Sequence, residues 1–357
     1  MRPLRALLFC ILLGAPAHAQ GTPAELIQAL QAAARAGDAD AYRALLGGSG
    51  TFSVEGRNFA ADLARVPQPS VTYKLSELRV DGDHARARLT LSWERTVGAV
   101  SLVSLPVRLE RRDDVWRYAG EDMQVIPAST FTLGALNEAD LPQRAAVLAP
   151  LLSGAAAQVQ AVLGLTASPG ATVKVYPSMS ALSASVNLSL QPVGGWNEPG
   201  EAIKLMLPDG GTAERGALRL LSHEFAHLSV SAALEPGTDK RVPWWLHEGL
   251  ADWVSSAYWA DGRLDARHRS ITTAAQSGWV PLDELRDFNA VPESRWGAVY
   301  AQGLGLVEFL TARSPDAPLK LARAFATSGD PDVSAQAVGF VTVGVLEAQA
   351  RAWLAAR

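Results

Sequence analysis

The chain has 357 residues, 48% hydrophobic and 19% charged, with a formal net charge of −4. That composition builds a core and excludes disorder over the whole chain. A mildly acidic balance without a Lys/Arg cluster also excludes an electrostatic case for nucleic acid or an anionic membrane surface.

Residues 1–19 read as an export signal. Arg2 and Arg5 supply the positive end, Ala6 to Gly14 a short apolar run, and Ala17-His18-Ala19 a small-x-small cleavage site before Gln20. The run is too short to cross a bilayer of about 30 Å, and no other stretch approaches roughly 18 apolar residues. After cleavage the protein is therefore expected to have no stable membrane insertion and to be exported, periplasmic or secreted. Cys10 is the single cysteine and falls inside this segment, where Leu7-Leu8-Phe9 lack the small residues of a lipobox. The mature chain has no cysteine, so its core must carry its stability without disulfides.

Residues 23–46 show helical spacing at Leu26, Ile27, Leu30, Ala33 and Ala34, broken at Gly37-Asp38. Alternation follows. "VTYKLSELRV" (71–80) leads through "DGD" into "HARARLTLSWERTV" (84–97), where Ala85, Ala87, Leu89, Leu91 and Trp93 share one face. That period of two marks a half-buried antiparallel strand. "LVSLPVRLERR" (102–112) and "VWRYAG" (115–120) read as two more strands, joined by Asp113-Asp114. Helices before a meander predict an α+β domain. In element order, residues 22–125 resemble the nuclear-transport-factor-2-like (cystatin-like) cone, with helices on an antiparallel sheet. That resemblance implies nothing firm about function, since such cones host enzymes and binding modules alike.

Residues 126–140 lose the pattern and are expected to be a linker, with a second domain over 141–357. An apolar helix is expected over 141–163, then strands at "TVKVYP" (172–177) and "EAIKLMLP" (201–208), with the turn-rich "GGWNEPG" (194–200) between them.

The stretch "LLSHEFAHLSV" (220–230) carries the chemistry. On a helix, His223 and His227 at i and i+4 project from one face and can fill two positions of a tetrahedral metal. Glu224 leans toward the same point, placed to hydrogen-bond a water there. Leu218, Leu221, Phe225 and Leu228 form the apolar stripe that makes the segment helical. Twenty residues on, "VPWWLHEGLADWVSS" (242–256) offers Glu248 on a second apolar helix, with Asp252 four residues later on the same face. A third His six residues beyond His227 is excluded, because that position is Ala233. A hydrolytic zinc site needs a third protein ligand, and a buried His or Glu without a partner is costly.

"HEFAH" followed by "PWWLHEGLADW" resembles the gluzincin metallopeptidases, most closely the thermolysin-like domains called peptidase MA-like, over about residues 140–325. The resemblance implies a zincin domain with a small mixed sheet and active-site helices. It implies Zn(2+) held by His223, His227 and Glu248, Glu224 as general base, and Asp252 as partner of a ligand histidine. By the same resemblance the strand 202–208, with Ile203 and Leu205, lines the cleft and pairs with an extended peptide or protein substrate. Tyr300 stands where gluzincins often stabilise an oxyanion, or is a core aromatic; Arg295 has the same standing. His247 is a rim residue or an oxyanion donor. Trp196, Trp244, Trp245 and Trp253 are core or cleft wall.

The activity implied is hydrolysis of peptide bonds. "GGWNEPGE" does not match the Gly-x-Met-Glu-Asn stretch with which gluzincin aminopeptidases capture a free amine, which favours an endopeptidase. Two rival readings are a zinc-binding protein without turnover and a binding module built on residues 22–125.

Overall fold

The computed structural model describes residues 21–357 except 97, 167–169, 191–192, 208–213 and 261. The expected export signal lies outside the described residues. A capping box opens the fold: Thr22 and Glu25 each accept the other's backbone N–H and start α1 (Pro23–Ala36). Gly37, at φ 65°, ends it in the left-handed conformation that glycine adopts without strain. Asp38 then caps α2 (Ala39–Ala44). A third helix with no counterpart in the sequence reading, α3 (Thr51–Arg65), follows.

The meander forms as expected: β1 (Thr72–Asp81), β2 (His84–Thr96), β3 (Ala99–Arg112) and β4 (Val115–Glu121), all antiparallel in chain order. Ala85, Ala87, Leu89, Leu91 and Trp93 are all buried beneath α1 to α3. Asp113 and Asp114 turn β3 into β4 with φ of 50° and 60°, a conformation Asp tolerates better than most side chains.

The expected linker is not one. Residues 123–136 form a hairpin, β5 (Met123–Ala128) and β6 (Phe131–Leu136), which belongs to a second sheet. Phe131, Leu133, Ala135 and Leu136 are buried there. Thr, Gly and Pro blur their alternation in sequence, and the partner that stabilises β6 lies 40 residues on, at Thr132↔Thr172. The apolar run 141–163 is also divided, into α4 (Leu141–Ala145) and α5 (Leu151–Leu163), with Pro150 before the second. By composition this run could cross a membrane, at mean hydropathy 1.6. In the fold its Leu152, Ala155 and Val159 are core residues.

β7 (Thr172–Tyr176), α6 (Met179–Val186), β8 (Gly195–Trp196) and β9 (Ile203–Met206) complete the second sheet. Its order is β5-β6-β7-β9-β8, with β6, β7 and β9 parallel and β5 and β8 antiparallel at the edges. Helices then take over: α7 (Glu214–Ala232), α8 (Trp244–Ser255), α9 (Arg263–Thr273), α10 (Trp296–Arg313), α11 (Ala317–Ser328), α12 (Pro331–Gln336) and α13 (Val343–Ala355). The fold is thus α+β. One apolar core runs unbroken through both sheets to α7, and a second lies among α8, α10, α11 and α13.

The two halves are joined by buried charge. Glu55 of α3 reaches the second sheet, where its Oε2 stands 2.5 Å from Lys174 Nζ of β7 and its Oε1 accepts the Ala202 N–H at 3.2 Å. Glu121 of β4 lies 3.5 Å from the same lysine. In register beside Lys174, Lys204 of β9 pairs with Glu201 at 3.1 Å and donates to the Ser185 carbonyl. Asn58 of α3 donates to the other oxygen of Glu201. Glu55, Glu121, Lys174, Glu201 and Lys204 are all buried. Burial pushes Glu55 up, but the two lysines more than offset it and hold its carboxyl below the usual range.

Candidate metal centre

Helix α7 runs under the second sheet and packs on α5 and α8. This places its His223 and His227 against Glu248 of α8. His223 Nε2 lies 3.2 Å from His227 Nε2 and 3.2 Å from Glu248 Oε2, and His227 Nε2 lies 3.6 Å from that oxygen. Each carries one possible ligand atom, and the three atoms lie within 4.8 Å of one another. A tetrahedral zinc with bonds of about 2.0–2.2 Å sets its ligand atoms about 3.3 Å apart. The donor set fits.

The groups around the three donors hold them toward one point. Trp244 Nε1 donates to Glu248 Oε1 at 2.8 Å, while Glu248 Oε2 is buried without a hydrogen-bond partner. Asp252 Oδ1 stands 3.3 Å from His223 Nδ1, close enough to attract its proton although poorly aligned for a hydrogen bond. With that proton on Nδ1, the Nε2 lone pair faces His227 and Glu248. Two ring lone pairs and a carboxylate oxygen converging in a buried space repel one another unless a cation sits among them.

The electrostatics agree. Burial works against charge on His223, yet Asp252 and Glu248 raise its pKa well above the ordinary value. Burial likewise pushes Glu248 up, but the imidazoles of His227 and His223 hold it far below the usual carboxylate range. The centre attracts positive charge. Glu224 is buried beside it, and there burial wins: its pKa is raised against the opposing pull of His223 and His227.

Several side chains complete the surroundings. Tyr300 of α10 has its ring 6.4 Å from that of His223, and burial raises its hydroxyl pKa far above normal. Its helix approaches α8 backbone to backbone: a Cβ on Gly249 would stand 2.3 Å from the Gly303 carbonyl oxygen. His247 is half-buried with its ring 6.1 Å from that of His227, and burial followed by His227 lowers its pKa to about 4. Trp196 meets Phe288 at 5.7 Å, and Phe288 meets Trp244 at 5.0 Å. Trp244 and Trp245 are buried, Trp253 is half-buried, and Arg295 is exposed and paired with Glu284.

One expectation is corrected. Ile203 and Leu205 do not line a cleft; they are 1% and 2% exposed in the core. Strand β9 is paired with β7 on one side and β8 on the other, so it offers no edge there for an extended peptide. The edge is β8. Sequence reasoning also missed Gly195 in that strand, where a Cβ would fall 2.2 Å from Glu224 Oε1. The paired glycines of "GGWNEPG" were the available signal for so close an approach.

No family model matches the chain, and no curated protein matches it. Among solved structures, native yeast LTA4 hydrolase is similar at TM-score 0.36 and 14% identity, over 73% of this chain and 39% of its own. The M1 zinc metallopeptidase from Deinococcus radiodurans is similar at TM-score 0.33 and 15% identity, over 80% of this chain and 62% of its own. A protein called Rd1NTF2_05 is similar at TM-score 0.23 and 16% identity, over 27% of this chain and 90% of its own.

Proposed function

We propose that this protein is a zinc-dependent metallopeptidase of gluzincin type, an exported endopeptidase acting on peptides or proteins. The observation that supports it most is the convergence of His223 Nε2, His227 Nε2 and Glu248 Oε2, at separations of 3.2, 3.2 and 3.6 Å, beside a buried Glu224. Zinc held by these three residues supplies Lewis acidity and lowers the pKa of water toward about 7.

The chain's own residues do the rest. Asp252 keeps the His223 proton on Nδ1, and Trp244 engages Glu248 Oε1, leaving Oε2 free. Glu224, made more basic by burial, accepts a proton as the water oxygen bonds to the scissile carbonyl carbon. It returns that proton to the amide nitrogen as the C–N bond breaks and the amine leaves. Tyr300 stays protonated and donates its hydroxyl hydrogen to the negative charge developing on the carbonyl oxygen. The β8 edge, held against Glu224 through Gly195, pairs with the substrate backbone.

The rival reading, a binding module in the N-terminal half, has one feature in its favour. Tyr42, Tyr73, Tyr118, Glu55 and Glu121 line a cavity of about 40 Å³ there. At roughly 10–15 Å³ per water that space holds about three waters, which is small for an organic ligand.

The test is cleavage of a complex peptide mixture by the mature protein, with Glu224→Gln in parallel and zinc content measured for both. Zinc in both and cuts by wild type alone is the expected result. Cleavage that survives Glu224→Gln removes Glu224 from its role. Zinc in both without cleavage by either sinks the peptidase and leaves a zinc-binding protein.

A further inference from the structure

Helix α7 places Arg215 and Arg219 on the ridge that continues into His223 and His227, each four residues from the next. Residues so spaced have Cβ atoms about 6 Å apart, so Arg219 sits one turn from His223. Helix α9 presents Arg263 and Arg267 at the same spacing. The two rows meet around Trp259: Arg215 donates to its carbonyl, and the Arg267 guanidinium lies 5.3 Å over its ring. Arg267 also stands 3.8 Å from Asp252 Oδ2. Arg215 and Arg267 therefore have structural work.

Arg219 has none. It is half-buried, yet it makes no hydrogen bond or ion pair with any described residue. Its nitrogen atoms are not among the buried polar atoms, so the stem is covered and the fork reaches solvent. Burial and then Arg263 lower its pKa, Arg267 adds to the effect, and Asp252 and Glu224 oppose it. A half-buried guanidinium that lacks an acceptor among the described residues, on the helix row that meets the arginines of α9 around Trp259, gains more than an ordinary surface arginine from an incoming anion.

We propose that Arg219, with Arg263 and Arg267 of α9, is a carboxylate-recognition subsite one helical turn from His223, selecting substrates with an acidic side chain or a free C-terminal carboxylate near the bond to be cut. The substrate class rests on the peptidase reading; the subsite itself does not. Arg219 presents two parallel N–H donors to both carboxylate oxygens, a geometry an amide cannot match. A site built this way binds the amide analogue about tenfold more weakly.

Two measurements separate the claims. The first uses zinc-loaded, full-length Glu224→Gln protein and calorimetry with three peptide series. One walks Glu through an amidated peptide, one walks Gln, and one carries Gln with a free C-terminal acid. Tighter binding of the Glu series identifies a side chain as the ligand; tighter binding of the free-acid series identifies the terminus. Either preference, of about tenfold, is expected to vanish in Arg219→Gln and to turn toward Lys peptides in Arg219→Glu. Equal binding of all three series, or a preference that survives Arg219→Gln, overturns the substrate assignment. The second follows the Arg219 Nε–H resonance during titration with glutarate. A saturable shift, absent in Arg219→Gln, upholds the subsite even if no peptide is ever cut. No shift removes it even if peptides are cut.

Discussion

Two buried constellations of charge stand within this chain, and they are opposites. Glu55, Glu121, Lys174, Glu201 and Lys204 come from positions spread over 150 residues, and each finds a partner in the fold. His223, Glu224, His227, Glu248 and Asp252 come from a stretch of 30 residues with no lysine or arginine among the five; three of their donor atoms converge on one point, and Arg267 stands 3.8 Å from Asp252 Oδ2. The first constellation is closed, and its charges explain the fold. The second gathers three possible metal-ligand atoms within 4.8 Å of one another. Buried charge alone does not mark a site; buried ligand atoms converging on one point do.

The comparison breaks if the closed cluster proves dispensable. Glu55→Ala leaves Lys174 without its nearest carboxylate in a buried setting, and a loss of about 3–5 kcal/mol in denaturant unfolding is expected. Adding Lys174→Met alone recovers only part of it, because Glu121 then loses its lysine; adding Glu121→Gln as well recovers most of the loss. Both acid partners of Lys174, Glu55 and Glu121, lie in the N-terminal half. The segment 140–357 expressed alone is therefore expected to be insoluble rather than active.

In the second cluster the effects fall on chemistry. Gly195→Ala drives a methyl group against the Glu224 carboxylate, and peptide cleavage is expected to fall about a hundredfold at unchanged zinc content. Unaltered cleavage would show that β8 does not touch the working form of Glu224. Asp252→Asn weakens zinc affinity about 10- to 100-fold, read by competition with a chromophoric chelator. Apo-protein stability should fall less, since what Asp252 Oδ2 loses there is the long contact with Arg267, 3.8 Å.

The smallest effect lies between the clusters. Burial, then Glu201, raises the Glu198 pKa to about 7. A carboxyl so raised carries no penalty below about 4.5, and folding loses stability as pH climbs from there through about 7. Glu198→Gln should therefore raise the melting temperature at pH 8 and leave it unchanged near pH 4. An equal shift at both values would assign the gain to packing.

How much of this the sequence disclosed follows from distance along the chain. His223, His227, Glu248 and Asp252 were legible because the 3.6-residue period of one helix sets each pair at four residues. The meander was legible because hairpin partners adjoin. The second sheet was not. Whether β9 is an edge or an interior strand depends on β8, a two-residue strand whose own sequence reads as a turn, so Ile203 and Leu205 were assigned to the wrong side. The hairpin at 123–136 needed a partner at 172 to be recognised. The closed cluster left one faint sign, a lysine in the middle of each apolar strand, "VKVY" and "IKLM". Nothing local pointed from those lysines to Glu55.

The glycine contact between α8 and α10 has its own consequence. Gly303 faces the Trp245 carbonyl so closely that a Cβ there would lie 2.1 Å from its oxygen. With no side chains between them to slide or change rotamer, the two helices travel as one body. Glu248 and Tyr300 thus keep a fixed span however the rest of the fold moves. Movement near Glu224 is left to β8, which is two residues long and, among the described residues, paired on one side only.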